Sequence, residues 1–256
     1  MIDLHCHILP GLDDGPSSVA ESLAMARLAI ADGIRTVVAT PHTFNDTYDN
    51  PSQKVISGVS RLNEQFLEND LELDLLPGSD AYICVRMADR IMAGEALTIN
   101  NSGSYILVEF PFQIIPPGAM DELFQIKLKG ITPVITHPER NPVFQRQPEI
   151  LYDLIEMGCL IQVTAMSITG EFGREVMSCA HRLLDLRLAH VIASDAHSPE
   201  HRPPILSPAR ELASRILGNI TEAEEMVMKR PQAILDGERV EVPDPKHPDK
   251  KSWWFG

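Results

Sequence analysis

The 256-residue sequence predicts an α/β chain folded as a distorted seven-stave parallel barrel, (β/α)7, and three observations carry that expectation. Seven short apolar runs, rich in β-branched residues, alternate with helical patterns. Glycine and proline punctuate the joints between them. Histidines or carboxylates stand at or just past the end of six of the seven runs, on the rim where barrels of this kind collect their functional groups.

With 44% hydrophobic and 23% charged residues the chain can bury a sizeable core, and a single domain over residues 1–239 is expected, followed by an extended tail over 240–256. No run of about 18 apolar residues exists, so membrane insertion is not expected. The sequence opens directly on a core-like strand without a leader pattern, which predicts a cytoplasmic protein. Cys6, Cys84, Cys159 and Cys179 lack CxxC spacing and read as reduced, mostly buried thiols. A formal net charge of -14 argues against nucleic acid, which is gripped by clustered Lys and Arg, and leaves carboxylates free to serve bound cations.

The first run, Met1 to His7, reads as a short strand in which strict alternation puts His5 and His7 on one face and Ile2, Leu4 and Cys6 on the other. The loop from Pro10 to Pro16 carries Asp13 and Asp14 just beyond. Ser18 and Glu21 form a capping-box pattern, and Val19, Leu23, Ala26 and Ile30 keep helical spacing until Gly33. The second run, Ile34 to Thr40, ends in Pro41-His42 and leads to a helix from Gln53 to Glu68. The third, Leu71 to Pro77, ends in Gly78-Ser79-Asp80, and the fourth, Ser104 to Val108, ends in Glu109. A helix over Ala119 to Lys129 precedes the fifth run, Ile131 to Thr136, which ends in His137-Pro138-Glu139-Arg140. Helix Glu149 to Met157, the sixth run Cys159 to Thr164, and helix Glu171 to Leu186 follow in turn. The seventh run, Leu188 to Ser194, ends in Asp195-Ala196-His197. Three short helices close the pattern, near Pro208 to Leu217, Glu222 to Met228 with Thr221 as cap, and Pro231 to Leu235.

Taken singly, a His, Asp or Glu after a strand is most often a cap, a turn residue or a satisfied histidine. Together, His5, His7, Asp14, His42, Asp80, Glu109, His137, Asp195 and His197 meet on one rim, and five of the nine histidines are among them. Nine nitrogen and oxygen ligands exceed the roughly four to six that one ion takes, and suit two or three divalent ions. Imidazole with carboxylate favours manganese, with iron, zinc or cobalt as the other candidates, over copper(I) or a structural zinc. His181, His190 and His247 read as ordinary surface or core residues, whereas His201 lies in the loop beyond the seventh run.

These motifs resemble the polymerase and histidinol phosphatase (PHP) metallohydrolases: His5-Cys6-His7, Asp14, Pro41-His42, His137-Pro138-Glu139-Arg140 and Asp195-Ala196-His197. Within them His5 to Pro16 (HCHILPGLDDGP), Ala39 to Thr43 (ATPHT), Leu107 to Pro111 (LVEFP) and Ser194 to Pro204 (SDAHSPEHRPP) resemble the bacterial protein-tyrosine phosphatases of capsule and exopolysaccharide operons. The likeness runs from Met1 to about Leu235. It implies a first metal on His5, His7, Asp80 and Asp195, a second on Asp80, Glu109 and His137, and a third on Asp14, His42 and His197, with Arg140 and Arg202 receiving the phosphate. At the bridging position the resemblance leads one to expect Glu, and this chain has Asp80, one methylene shorter.

Adjacent cations lower the pKa of a shared water and clamp both oxygens of an in-line displacement, so attack by a metal-bound hydroxide is the expected chemistry. Two arginines can pair bidentately with phosphate oxygens, and a tyrosine leaving group, with a solution pKa of about 10, departs with little help. His201 is a candidate general acid. The implied substrate is a phosphorylated bacterial tyrosine kinase that sets exopolysaccharide chain length; a small-molecule phosphatase such as histidinol-phosphate phosphatase, and a non-catalytic kinase-binding regulator, are the alternatives. A homo-oligomer is admissible on this reading. Cys84 to Arg90 matches the Cys, five residues, Arg pattern of cysteine-dependent phosphatases, yet it has no glycine and reads as a helix start, so it is expected to be a coincidence. Trp253-Trp254-Phe255, closing a polar tail, are expected to dock onto the same chain or a second copy.

Overall fold

The computed structural model of the chain describes residues 1–247; the Trp253-Trp254-Phe255 cluster lies outside the described residues. Its first part runs β1 (Ile2–Cys6), α1 (Val19–Ala31), β2 (Thr36–Ala39), β3 (His42–Thr43), α2 (Ser52–Glu68), β4 (Asp74–Pro77), β5 (Asp80–Tyr82) and α3 (Met87–Met92). The middle holds β6 (Tyr105–Glu109), α4 (Ala119–Leu128), β7 (Thr132–Thr136), α5 (Pro142–Arg146), α6 (Glu149–Glu156) and β8 (Leu160–Thr164). Then come α7 (Ala165–Thr169), α8 (Arg174–Asp185), β9 (Val191–Ala193), α9 (Ser207–Leu217), α10 (Ile220–Glu225) and α11 (Lys229–Leu235).

All strand pairings are parallel, in two sheets ordered β1-β2-β4 and β3-β5-β6-β7-β8-β9. The second and third apolar runs are each broken in two, which is why the seven expected strands number nine among the described residues. Pro41 has no N–H to give to a ladder, and Gly78-Ser79 interrupts the neighbouring strand beside it. Pairing resumes beyond the break with His42 opposite Asp80. The sheets meet again at a bridge, Cys6 to Ala196, where His7 N–H donates to the Ala196 carbonyl and Asp195 N–H to that of His5, both at 2.8 Å. The expectation of a barrel is thus narrowed to an α/β fold of two parallel sheets.

The register slips between Asp3 and Cys6, where three residues of β1 span two of β2. This corrects the strict alternation expected of the first strand. Ile2 and Leu4 pack in one apolar cluster with Leu107, Val134, Leu160 and Val191, whereas Cys6 packs in the other, against the helices. An extra residue in one strand re-aims every side chain after it. The smaller cluster is closed by Ile234 and Leu235 of α11. Two residues further along β6, β7 and β8, on the same face, stand Glu109, Thr136 and Gln162. One sheet face is therefore apolar at its start and polar at its end.

Local signals behave as the chemistry predicts, with two amendments. Ser18 Oγ accepts the Glu21 N–H at 3.3 Å and caps α1, but the Glu21 carboxylate turns to the Ser17 N–H at 2.7 Å instead of closing the box on Ser18. Helix α10 is capped not by Thr221 but by Asn219, whose Oδ1 accepts the Glu222 N–H at 3.2 Å.

Candidate metal centre

Each expected ligand sits at a strand end or in the loop after it. His5 and His7 leave β1 fully buried with their Nε2 atoms 3.2 Å apart. What aims them is a second layer of acceptors. His7 Nδ1 lies 2.7 Å from Asp13 Oδ2, and His5 Nδ1 lies 3.0 Å from Gln162 Oε1, so each Nε2 is left facing the cluster. Asp13 also accepts the N–H of Gly15 at 3.0 Å and of His42 at 3.1 Å, tying the two loops together. Gly15 permits this curl, because a Cβ there would lie 2.3 Å from the His7 carbonyl oxygen.

Asp80, the residue one methylene short, is fully buried, and its Oδ2 lies 3.5 Å from His5 Nε2 and 3.3 Å from His42 Nδ1. Just before it, at Gly78, the chain runs so close to β2 that a Cβ would lie 2.7 Å from Val38 Cγ1, an approach only glycine allows. His42 Nδ1 also lies 3.2 Å from Glu109 Oε2. Its Nε2 lies 3.5 Å from Asp14 Oδ1, which is 3.4 Å from His197 Nε2. Three ligand groups result, each with donor atoms within 4.8 Å of one another: His5, His7 and Asp80; His42, Asp80 and Glu109; and His7, Asp14, His42 and His197.

Asp195 and His137 stand beside these groups. His137 Nε2 lies 3.7 Å from Glu109 Oε1. Asp195 Oδ1 lies 3.4 Å from the Nε2 of both His5 and His7, while its Oδ2 accepts from Arg140 and, at 2.5 Å, from Arg202 Nη2. Both residues have a left-handed backbone, φ 36° at His137 and φ 51° at Asp195, a conformation His and Asp tolerate better than most and one that clusters at functional sites. The two arginines thus reach the cluster through one carboxylate. His201 does not join them: it is exposed, and its N–H donates to Ser198 Oγ at 3.1 Å. The residue expected as an acid thus sits on the same turn as Arg202, whose N–H donates to the same Ser198 Oγ at 3.1 Å.

The charges lean on one another. Against the cost of burial, Asp80 and Glu109 push His42 up to about 11, and Asp13 pushes His7 up to about 9. Asp80 and Asp195 are held well below the usual carboxylate range in spite of burial, by His5 and His42 in the first case and by Arg140 and His5 in the second. Burial and the neighbouring His7 bring His197 down to about 4. The cluster is a set of buried carboxylates that demands positive charge, which Arg140 and Arg202 supply at Asp195.

Arg90 Nη1 donates to Cys84 Sγ at 3.6 Å, yet this does not make Cys84 a nucleophile. Burial pushes its thiol up, and the Arg86 and Met87 N–H groups, which would have to wrap a phosphate, already donate to the Glu122 carboxylate at 2.8 and 3.1 Å. Sequence reasoning overlooked Gln162, a polar residue inside an apolar strand, and singled out Asp14 over Asp13. It also overlooked Phe172, set between Gly170 and Gly173, with its ring under both Arg140 and Arg202.

Comparison with known proteins places this geometry. A family model for capsular polysaccharide synthesis proteins, CpsB/CapC, matches residues 1–236. Tyrosine-protein phosphatase YwqE of Bacillus subtilis is 36% identical over 261 residues, covering 100% of this chain and 99% of the relative. Tyrosine-protein phosphatase CpsB of Streptococcus pneumoniae is 30% identical over 240 residues, 92% of this chain and 98% of that one. A solved structure described among those of YwqE and CpsB as metal-dependent tyrosine phosphatases superposes with a TM-score of 0.92 at 35% identity, covering 98% of this chain and 100% of that chain. A β-aspartyl dipeptidase from Fervidobacterium islandicum shares the fold alone, at 16% identity and a TM-score of 0.56 over 94% of this chain and 75% of that chain. The chain belongs to the CpsB/CapC family of capsular polysaccharide synthesis proteins, whose named relatives are tyrosine phosphatases.

Proposed function

We propose that this chain is a metal-dependent protein-tyrosine phosphatase whose substrate is the phosphorylated tyrosine kinase of an exopolysaccharide or capsule system. The observation that carries the reading is one adjacency. Imidazole–carboxylate groups suited to divalent ions lie beside two arginines whose Nε–H donors are buried and unpartnered. A buried donor left without a partner costs about 1–3 kcal/mol, a cost that phosphate oxygens would offset.

The residues fit divalent ions, since His42 Nδ1 and Asp80 Oδ2 face each other at 3.3 Å, buried, and neither has a hydrogen-bond partner. We assign His5, His7, Asp80 and Asp195 to one ion, Asp80, Glu109 and His137 to a second, and Asp14, His42 and His197 to a third. His7 and His42 stand within reach of two groups each. Manganese suits this oxygen- and imidazole-rich set, with iron, zinc or cobalt as substitutes. Ions bound there would supply an activated water and neutralise the phosphoryl oxygens. The chain itself does the rest. Asp13 and Gln162 fix the tautomers of His7 and His5, Arg140 and Arg202 grip the phosphate, and Asp195 holds the arginines against the ligand groups. No general acid is assigned, which a phenolate leaving group tolerates better than an alkoxide would.

We also read the two sheets as seven staves of one distorted barrel, the Cys6–Ala196 bridge completing the ring, and residues 1–239 as one domain. A cytoplasmic home suits the four free cysteines. The test compares manganese-loaded protein on a phosphotyrosine peptide, a phosphoserine peptide and histidinol phosphate. Preferred turnover of phosphotyrosine is expected. A preference for histidinol phosphate would replace the reading with a small-molecule phosphatase, and binding of the kinase without turnover would replace it with a regulator.

A further inference from the structure

Phe172 lies in the connection between α7 and α8, between Gly170 at φ 100° and Gly173 at φ 92°. Neither glycine could be exchanged for another residue without backbone strain, and the turn they make swings one aromatic side chain back to the rim. The Arg140 guanidinium carbon stands 5.1 Å from the centre of its ring, and that of Arg202 5.6 Å. Both are within the roughly 6 Å at which a ring face attracts a cation. No side-chain hydrogen bond explains this placement, because a phenyl ring carries no N–H, O–H or carbonyl group.

The arginines have reason to need it. Their Nη2 atoms converge on the same oxygen, Asp195 Oδ2. Two cations on one carboxylate oxygen repel each other, and that single negative charge neutralises only one of them. Both Nε–H groups meanwhile remain without a partner. A ring whose negative face is shared by both guanidinium groups offsets part of the repulsion without occupying any N–H. It leaves every remaining donor for a ligand.

We propose that Phe172 is a positioning residue that holds Arg140 and Arg202 together as one phosphate receptor. The inference rests on the proposed role of those arginines in gripping phosphate. It predicts that the aromatic face, not apolar bulk, is what matters at position 172. Inorganic phosphate titrated calorimetrically into manganese-loaded protein tests it, using the unaltered chain and the Phe172→Leu, Phe172→Tyr and Arg202→Leu variants at equal metal content. Phe172→Leu is expected to bind phosphate about tenfold more weakly and Phe172→Tyr nearly as well as the unaltered chain. The KM for a phosphotyrosine peptide should rise in Phe172→Leu and recover in Phe172→Tyr. Undiminished binding by Phe172→Leu would overturn the proposal, and so would a Phe172→Tyr variant that falls as far as Phe172→Leu. Arg202→Leu separates the two levels: if it leaves phosphate binding untouched, the reading of the arginines as receptor fails, and Phe172 loses its role with it.

Discussion

Asp195 is the residue at which the two halves of the site meet, one oxygen turned to His5 and His7 and the other to Arg140 and Arg202. Its partner in importance is Asp13, which has no assigned contact with phosphate. By accepting from His7 Nδ1 it decides which nitrogen His7 can offer to an ion. Asp13→Asn keeps the shape and removes the charge, so manganese affinity should fall roughly 10–100-fold, as is usual when an outer partner of a ligating histidine is lost. Titration of the metal-free protein with manganese reads this directly, and an unchanged affinity would show that His7 needs no such support. Asp13 and Asp14 are neighbours with different tasks. Sequence places both in one loop, but only the curl at Gly15 sends Asp13 beneath His7 and leaves Asp14, half exposed, facing His42 and His197.

At the scale of elements, the alternation of apolar runs with helices made most of the fold legible, because in a βα succession the end of each strand is also a place on a common rim. That is why nine scattered residues can be gathered from the order of the amino acids alone. What stayed hidden was every feature fixed by one residue's displacement. The register slip in β1 splits Ile2 and Leu4 from Cys6, and no periodicity announces it. The breaks at Pro41 and Gly78 turned two strands into four. The cap of α10 moved two residues, since Asn219 with extended φ/ψ presents its oxygen where Thr221, already inside the helix, cannot. Asn219→Ala should therefore cost about 1 kcal/mol of unfolding free energy, while Thr221→Ala should cost far less. Equal losses in urea denaturation would give Thr221 a share in the cap.

Across the whole molecule, buried ionisable groups set how stability depends on pH, and His190 is the clearest of them away from the site. It is fully buried, accepts the Ile161 N–H on Nδ1 at 3.1 Å, and burial together with Arg230 pulls it down from 6.5 to about 3. The folded state refuses a proton that the unfolded chain accepts below about pH 6.5, so this stability is whole above that pH and drains as pH falls toward 3. At pH 4.5 the loss from this one group is roughly 2–3 kcal/mol. His190→Asn retains an acceptor without the titration, and its stability should fall less between pH 7 and pH 4.5 than that of the unaltered chain. Parallel declines in urea unfolding at the two pH values would deny His190 any part in the pH dependence. The central claim is that ligands gathered from all along the chain hold ions that do the chemistry, and that Cys84 does none of it. The most direct test is phosphatase activity on a phosphotyrosine peptide after chelation and after manganese is restored, with His42→Ala and Cys84→Ser alongside. Chelation and His42→Ala are expected to abolish turnover, manganese to return it to the chelated protein, and Cys84→Ser to be as active as the unaltered chain; activity that survives chelation and disappears with Cys84→Ser would contradict the claim.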